Sequence, residues 1–165
     1  MNNKGFTLIE LLVTITIMGL LMAIAVPNVT SMVDKNKRTT YIEDAKKMIT
    51  LAKYKFESDL TNRPALGECK KYSITILDRS DLQNPPYDGK YIENYSFVTV
   101  KYNGTTYEYR VQLVEEFNSN KTTYYRGVKL SESTTLYKEN AKITTVTDSY
   151  TTLGSSTFKH YNNAC

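Results

Sequence analysis

The chain opens with a short polar leader, Met1-Asn2-Asn3-Lys4-Gly5, and passes at once into an apolar run from Phe6 to Val26 that closes on Pro27. At about 1.5 Å rise per residue the run makes a helix of roughly 30 Å, the thickness of a bilayer hydrocarbon core. Its side chains are mainly Leu, Ile, Val, Met, Ala and Thr, with one charge, Glu10. The rest of so short a chain could hardly wrap a helix that is apolar on every side, so a buried core helix is the poorer reading. An ordinary secretory signal is cut after its apolar part, which is then lost. Here the processing-like junction, Gly5 to Phe6, precedes the apolar part. A cut there keeps the helix and places a new amine near the Glu10 carboxylate.

Glu10 is the odd residue of the run. An acid at the centre of a membrane helix costs about 2.5–3.5 kcal/mol on insertion scales. Near the helix start the depth is less and the dipole favours an anion. Glu10 therefore reads as a carboxylate awaiting a cation, with a tolerated interfacial acid as the alternative. Further on, Pro27 has no N–H, so the carbonyl of Ala23 loses its helical partner and a kink or weak point is expected there. Gly19 and Pro27 bracket the second half of the run, although both residue types are common in membrane helices.

Gly5, Phe6, Thr7, Leu8, Glu10, Leu11 and Leu12, with Gly19 and Pro27 beyond them, resemble the N-terminus of type IV prepilins and of the pseudopilins of type II secretion and competence systems. The resemblance covers roughly the first thirty residues; after that it is one of layout. It implies cleavage by a prepilin peptidase after Gly5 and N-methylation of Phe6. It also implies pairing of Glu10 with a neighbouring subunit's N-terminus during assembly, and local melting of the helix between Gly19 and Pro27 in the filament. The implied partners are further copies of the chain and other pilin subunits, the peptidase, an assembly platform with its ATPase, and the membrane. The implied location is a single pass through the cell membrane with the C-terminal domain outside, followed by a surface filament. Charge counting disagrees. Lys35, Lys37, Arg38, Lys46 and Lys47 lie on the C-terminal side of the run, which alone would put that side in the cytoplasm. The leader resemblance overrides it.

The expected architecture is α+β: a long N-terminal transmembrane-to-amphipathic helix packed on a small antiparallel sheet. Residues 1–5 are the leader, 6–27 the membrane helix, 28–61 its amphipathic continuation and 62–165 the β-domain. Tyr41, Ala45, Met48, Ile49, Ala52, Phe56 and Leu60 fall on one helical stripe that ends before Thr61-Asn62-Arg63-Pro64. Asn103-Gly104 reads as a two-residue hairpin turn. Folding about it pairs Tyr102 with Thr105, Val100 with Tyr107 and Val98 with Tyr109, which sorts apolar from polar faces. Tyr72 to Ile76, Tyr124 to Leu130 and Lys142 to Thr147 read as further strands. Residues 84–89 read as a loop.

Two cysteines occur, Cys69 and Cys165. With the domain outside the membrane a bridge between them is expected, worth roughly 4–5 kcal/mol on loop-closure entropy. Neither a phosphate loop nor a metal-ligand spacing is present, so no cofactor and no enzymatic role is expected. His160 is the sole histidine and lies in a tail expected to be mobile. Asp78, Asp81 and Asp88 read as solvated loop acids rather than calcium ligands. Lys101, Arg110, Tyr124 and Arg126 are of the types that would capture DNA, but a net charge of +4 favours a solvated sheet face. The leading reading is a structural subunit of a type IV pilus or pseudopilus. The competing one is a membrane-tethered extracellular binding module that does not polymerise.

Overall fold

A computed structural model describes residues 6–59, 63–77, 82, 84–147, 150–153, 157–163 and 165. Helix α1 runs from Leu8 to Ser58 and passes through Pro27. The chain divides into two compact units, residues 1–36 and 37–165. Within the second unit five strands form one antiparallel sheet: β1 (Cys69–Ser73), β2 (Lys90–Tyr91), β3 (Phe97–Tyr102), β4 (Tyr107–Ser119) and β5 (Thr122–Glu132). Two single-turn helices follow, α2 (Ser133–Leu136) and α3 (Ala141–Thr144). The architecture is α+β, a long N-terminal helix packed on a small antiparallel sheet.

β4 organises the sheet. One of its edges pairs first with β3 and then with β2, the other pairs with β5, and β1 joins the far side of β3. The stripe on α1 lies against the inner face: Tyr41, Ala45, Met48, Ile49, Ala52 and Phe56 are buried with Val98, Val100, Val111, Leu113 and Val128. Phe56 meets Tyr107 edge-on at 4.6 Å. Leu60, at the end of the expected stripe, and Thr61-Asn62 lie outside the described residues.

The β3–β4 hairpin is real, but its register differs from the expected one. The pairs are Tyr102 with Tyr107, Val100 with Tyr109 and Val98 with Val111. The connection is a four-residue loop, residues 103–106. Asn103 accepts on its side-chain oxygen from the N–H groups of Thr105 (3.0 Å) and Thr106 (2.9 Å), and its own N–H donates to the Thr106 carbonyl (3.2 Å). The tight two-residue turn occurs instead between β4 and β5, where Asn120 and Lys121 both take positive φ, 49° and 64°. The expected strand at 72–76 is displaced: β1 spans Cys69–Ser73, and Ile74 to Leu77 form a turn. β5 contains the expected Tyr124–Leu130. Lys142 to Thr147 is not a strand: α3 takes up its first part, and only Val146 bridges, to Val128.

The outer face carries a second apolar cluster. Phe97, Val114 and Phe158 are buried, and the segment 157–163 contacts Lys71 on β1, Phe97 on β3 and Gln112 on β4. Gln112 is the fastening: its Nε2 donates to the carbonyls of Tyr95 (2.9 Å) and Lys159 (2.7 Å), and its Oε1 accepts from the Lys159 N–H (2.9 Å). Tyr161 donates to the Lys71 carbonyl at 3.1 Å and packs on Phe97 at 5.9 Å. Cys165 then closes on Cys69 at the start of β1, with the Cα atoms 6.2 Å apart. The described C-terminal segment is thus a strap rather than a free tail.

Candidate functional site

The N-terminal segment begins with a local constraint. Thr7 lies just before α1, and Glu10 follows it by three residues, a Thr-x-x-Glu spacing. The Thr7 N–H donates to the Glu10 carboxylate at 2.8 Å, and so does the Thr7 hydroxyl at 2.7 Å. In return Thr7 Oγ1 accepts from the Glu10 N–H at 3.3 Å. This is a capping box, in which two otherwise orphaned helix-start donors are satisfied reciprocally. The dipole at the helix start favours the same anion. The Glu10 carboxylate is therefore held at the helix entrance by its own chain. The Thr-x-x-Glu spacing is readable in the sequence, but Glu10 reads there as a carboxylate awaiting a cation or as a tolerated interfacial acid and not as half of a capping box.

Beyond the cap, every large apolar side chain from Phe6 to Val33 is exposed, and none of the apolar stretch is buried by the chain itself. Its polar groups are turned inward along the helix. Thr14 donates to the Leu11 carbonyl at 2.8 Å, Thr16 to Val13 at 2.8 Å and Asn28 to Ile24 at 3.0 Å. Such back-bonding leaves an outer surface of methyl and methylene groups, suited to lipid or to another apolar helix. A Cβ built on Gly19 meets nothing within 4 Å, so nothing in this chain requires glycine there. Gly5 lies outside the described residues, while Phe6 is 85% exposed at their start.

The second unit holds two buried carboxylates that sequence reading passed over. Glu115 lies in phase with Val111 and Leu113 on the inner face of β4. Its carboxylate accepts from Tyr41 Oη on α1 (2.5 Å) and from the N–H groups of Tyr87 and Gly89 (3.0 Å each). Gly89 must be glycine, since a Cβ there would stand 2.0 Å from the Glu116 carbonyl oxygen. Lys37 lies over the Tyr87 ring at 3.8 Å, and Arg126 donates to the Tyr87 hydroxyl. Asp44, also fully buried, accepts from Tyr91 Oη at 2.7 Å. Burial raises the Glu115 pKa above the ordinary carboxylate value, opposed by the Tyr41 hydrogen bond, the two backbone N–H groups and Lys37. The Tyr41 and Tyr91 hydroxyls are driven well above the usual phenol range, first by burial and then by Glu115 and Asp44. Both stay protonated donors. The cluster ties α1, the 84–89 loop and β4 together. An acid in phase with an apolar alternation was the available signal.

The remaining nominated residues scatter. Asp78 and Asp81 lie outside the described residues; Asp88 sits in the loop at φ 57°. Among the described residues no group of three His, Cys, Asp or Glu side chains is placed to hold a metal. His160 belongs to the strap, its ring edge-on to Tyr95 at 5.3 Å. The four residues considered for DNA do not form one surface. Lys101 and Arg110 are exposed, Arg126 is buried against Tyr87 and the Thr147 carbonyl, and Tyr124 stacks on Phe117 at 5.7 Å.

Residues 1–26 match the prokaryotic N-terminal methylation motif, the class III prepilin leader of type IV pilins and pseudopilins. No curated protein and no solved structure matches the chain. The leader and the apolar helix fit a membrane-anchored protein of pilin-like or pseudopilin precursor type, and the motif points to a structural role.

Proposed function

We propose that this chain is a structural subunit of a type IV pilus or pseudopilus filament, processed at Gly5–Phe6 and assembled through its N-terminal helix. The observation that carries the reading is the capped apolar helix, exposed on all sides, directly behind a methylation-motif leader. Removal of Met1 to Gly5 makes Phe6 the new amine, next to the Thr7 whose N–H already binds Glu10. N-methylation keeps that amine cationic. A carboxylate at this site is stabilised by a positive charge, its own chain's or that of an adjacent copy, because the two attract strongly where water is excluded. Gly19 and Pro27 supply weak points in the helix for repacking, and the β-domains form the filament's outer surface outside the cell. The peptidase, the assembly platform with its ATPase and further pilin subunits are the partners of this scheme.

Intact mass of the membrane-extracted protein is the test. The expected mass is that of Phe6 to Cys165 plus one methyl group. A mature protein that still begins at Met1 would overturn the processing step and favour a plain membrane tether.

A further inference from the structure

A cleft of about 530 Å³ in the second unit lies beside the strap and has no part in the structural scheme above. It is within the range of roughly 300–1,000 Å³ that holds a small organic ligand. Three cations line it from three separate segments: Arg110 on β4, Lys129 on β5 and Lys159 on the strap, with Glu132 and Tyr150 also in the wall. Glu132 pairs with Arg110 at 3.3 Å and aims the guanidinium without using up its donors. Among the described residues neither the Lys129 nor the Lys159 ammonium has an ion-pair partner. The positions of these groups are fixed by backbone bonds. Lys159 is clasped by Gln112, the Lys129 N–H donates to the Thr145 carbonyl at 3.0 Å, and Tyr150 exchanges backbone bonds with Tyr125 at 2.7 and 2.8 Å. Tyr150 is 39% exposed and backed edge-on by Phe158 at 6.2 Å, so part of an anchored ring stays open to the cleft.

We infer that this cleft binds an acidic sugar, a single sugar-sized unit carrying one carboxylate or phosphate group. The oxyanion would take charge-assisted bonds from Lys129, Lys159 and the Arg110 guanidinium. The sugar ring would lie on Tyr150, and Thr147 lines the same wall with its hydroxyl donating to the Gly127 carbonyl at 3.3 Å, which leaves that oxygen to accept from a ring hydroxyl. A preformed cleft loses little on ordering its walls, so even a small ligand can gain from it. The inference does not depend on polymerisation and is tested on dispersed protein.

The experiment is a ligand-observed NMR titration of the full chain in detergent micelles, with glucuronate, glucose 1-phosphate, glucose and inorganic phosphate as probes. The expected result is that at least one acidic sugar binds about tenfold more tightly than glucose or inorganic phosphate, and less tightly as salt is raised. Whether glucuronate or glucose 1-phosphate binds better tells which oxyanion is preferred. Lys129→Gln with Lys159→Gln should weaken that binding about tenfold while circular dichroism stays unchanged. Lys129→Gln with Lys159→Arg, which keeps the charge at 159, should bind more tightly than the double glutamine variant and recover most of the Lys159 contribution. Tyr150→Ala should weaken the acidic sugar and leave inorganic phosphate as it was. Equal affinity for glucose, unchanged binding by the folded double variant, or tighter binding of a single-stranded oligonucleotide than of either acidic sugar would overturn the inference.

Discussion

The stretches of α1 that belong to the two units treat the same problem in opposite ways. In the second unit the helix is amphipathic: one stripe from Tyr41 to Phe56 is buried on the sheet, and charges such as Lys46, Lys47 and Lys53 lie off it. That unit's two buried acids, Asp44 on the helix and Glu115 on β4, are both matched by protein donors. In the first unit the stretch from Leu8 to Val26 is apolar all round, nothing in the chain covers it, and its one acid, Glu10, sits in a capping box at the end. A helix that completes its core internally specifies a domain. One that does not specifies an environment, which for this composition is lipid or other apolar helices. Changes in the second unit should therefore read out as folding stability, and changes in the first as assembly.

The largest effect on stability is expected from the bridge that ends the strap. Cys165→Ser should lower the unfolding free energy of the second unit by about 4–5 kcal/mol, for a separation of 96 residues, if loop-closure entropy dominates. Urea unfolding of wild type with and without reductant, beside the variant, measures it. An unchanged midpoint would mean that Gln112 and Tyr161 hold the strap unaided.

Glu115→Ala comes next. It leaves the Tyr41 hydroxyl and two backbone N–H groups buried without their acceptor, a loss of about 2–4 kcal/mol in the same assay. The membrane fraction should still contain the protein, since the first unit is untouched.

Glu115→Gln sharpens the point through pH. The folded pKa of Glu115 is raised above 4.5. Between that value and the folded one the native state holds more protons than the unfolded state, so this group's contribution to stability falls as pH rises. The glutamine variant keeps an oxygen for the Tyr87 and Gly89 N–H groups and does not titrate. The difference in stability between wild type and variant should therefore shift in favour of the variant as pH climbs through that window. A difference that is flat with pH would show that Glu115 titrates as it does in the unfolded chain.

The smallest effect on stability is expected at Gly19→Ala, within about 0.5 kcal/mol by thermal unfolding, because an added Cβ there meets nothing. If the position matters to packing between copies, the same variant lowers the yield of sheared filaments. A normal yield would remove Gly19 from the assembly scheme.

What the sequence made legible follows the same division. In the first unit the leader motif and the unbroken apolar run were readable, because together they have few alternative meanings, whereas the Thr7–Glu10 capping box was not read. The helical stripe was readable because its period is unambiguous. The hairpin's faces were readable, but its register was not: pairing Val98 with Tyr109 or with Val111 differs by two residues, which leaves every side chain on the same face. Only the Asn103 side-chain bonds decide the loop length. The Asn120-Lys121 turn was missed because it lacks glycine, though both residues take positive φ. Lys142 to Thr147 alternates like a strand, yet α3 intervenes, and Thr145 donates its hydroxyl to the Ala141 carbonyl at 2.6 Å. The strap could not be read from composition, since it depends on Gln112 meeting Lys159 across the sheet. Asp44 and Glu115 were passed over because an acid in an apolar phase is ordinarily a surface exception, and here tyrosines were placed to receive them.

The most direct test of the account is Glu10→Ala, followed in the membrane fraction and in sheared surface filaments. Removing the carboxylate relieves a charge in an apolar segment and breaks the capping box, a change worth about 1 kcal/mol at the helix start. The account predicts a variant that is processed and membrane-inserted at wild-type levels, with a second unit of unchanged stability, and that is absent from the filament fraction. Incorporation of the variant into filaments at normal levels would contradict it and leave Glu10 as a helix cap alone.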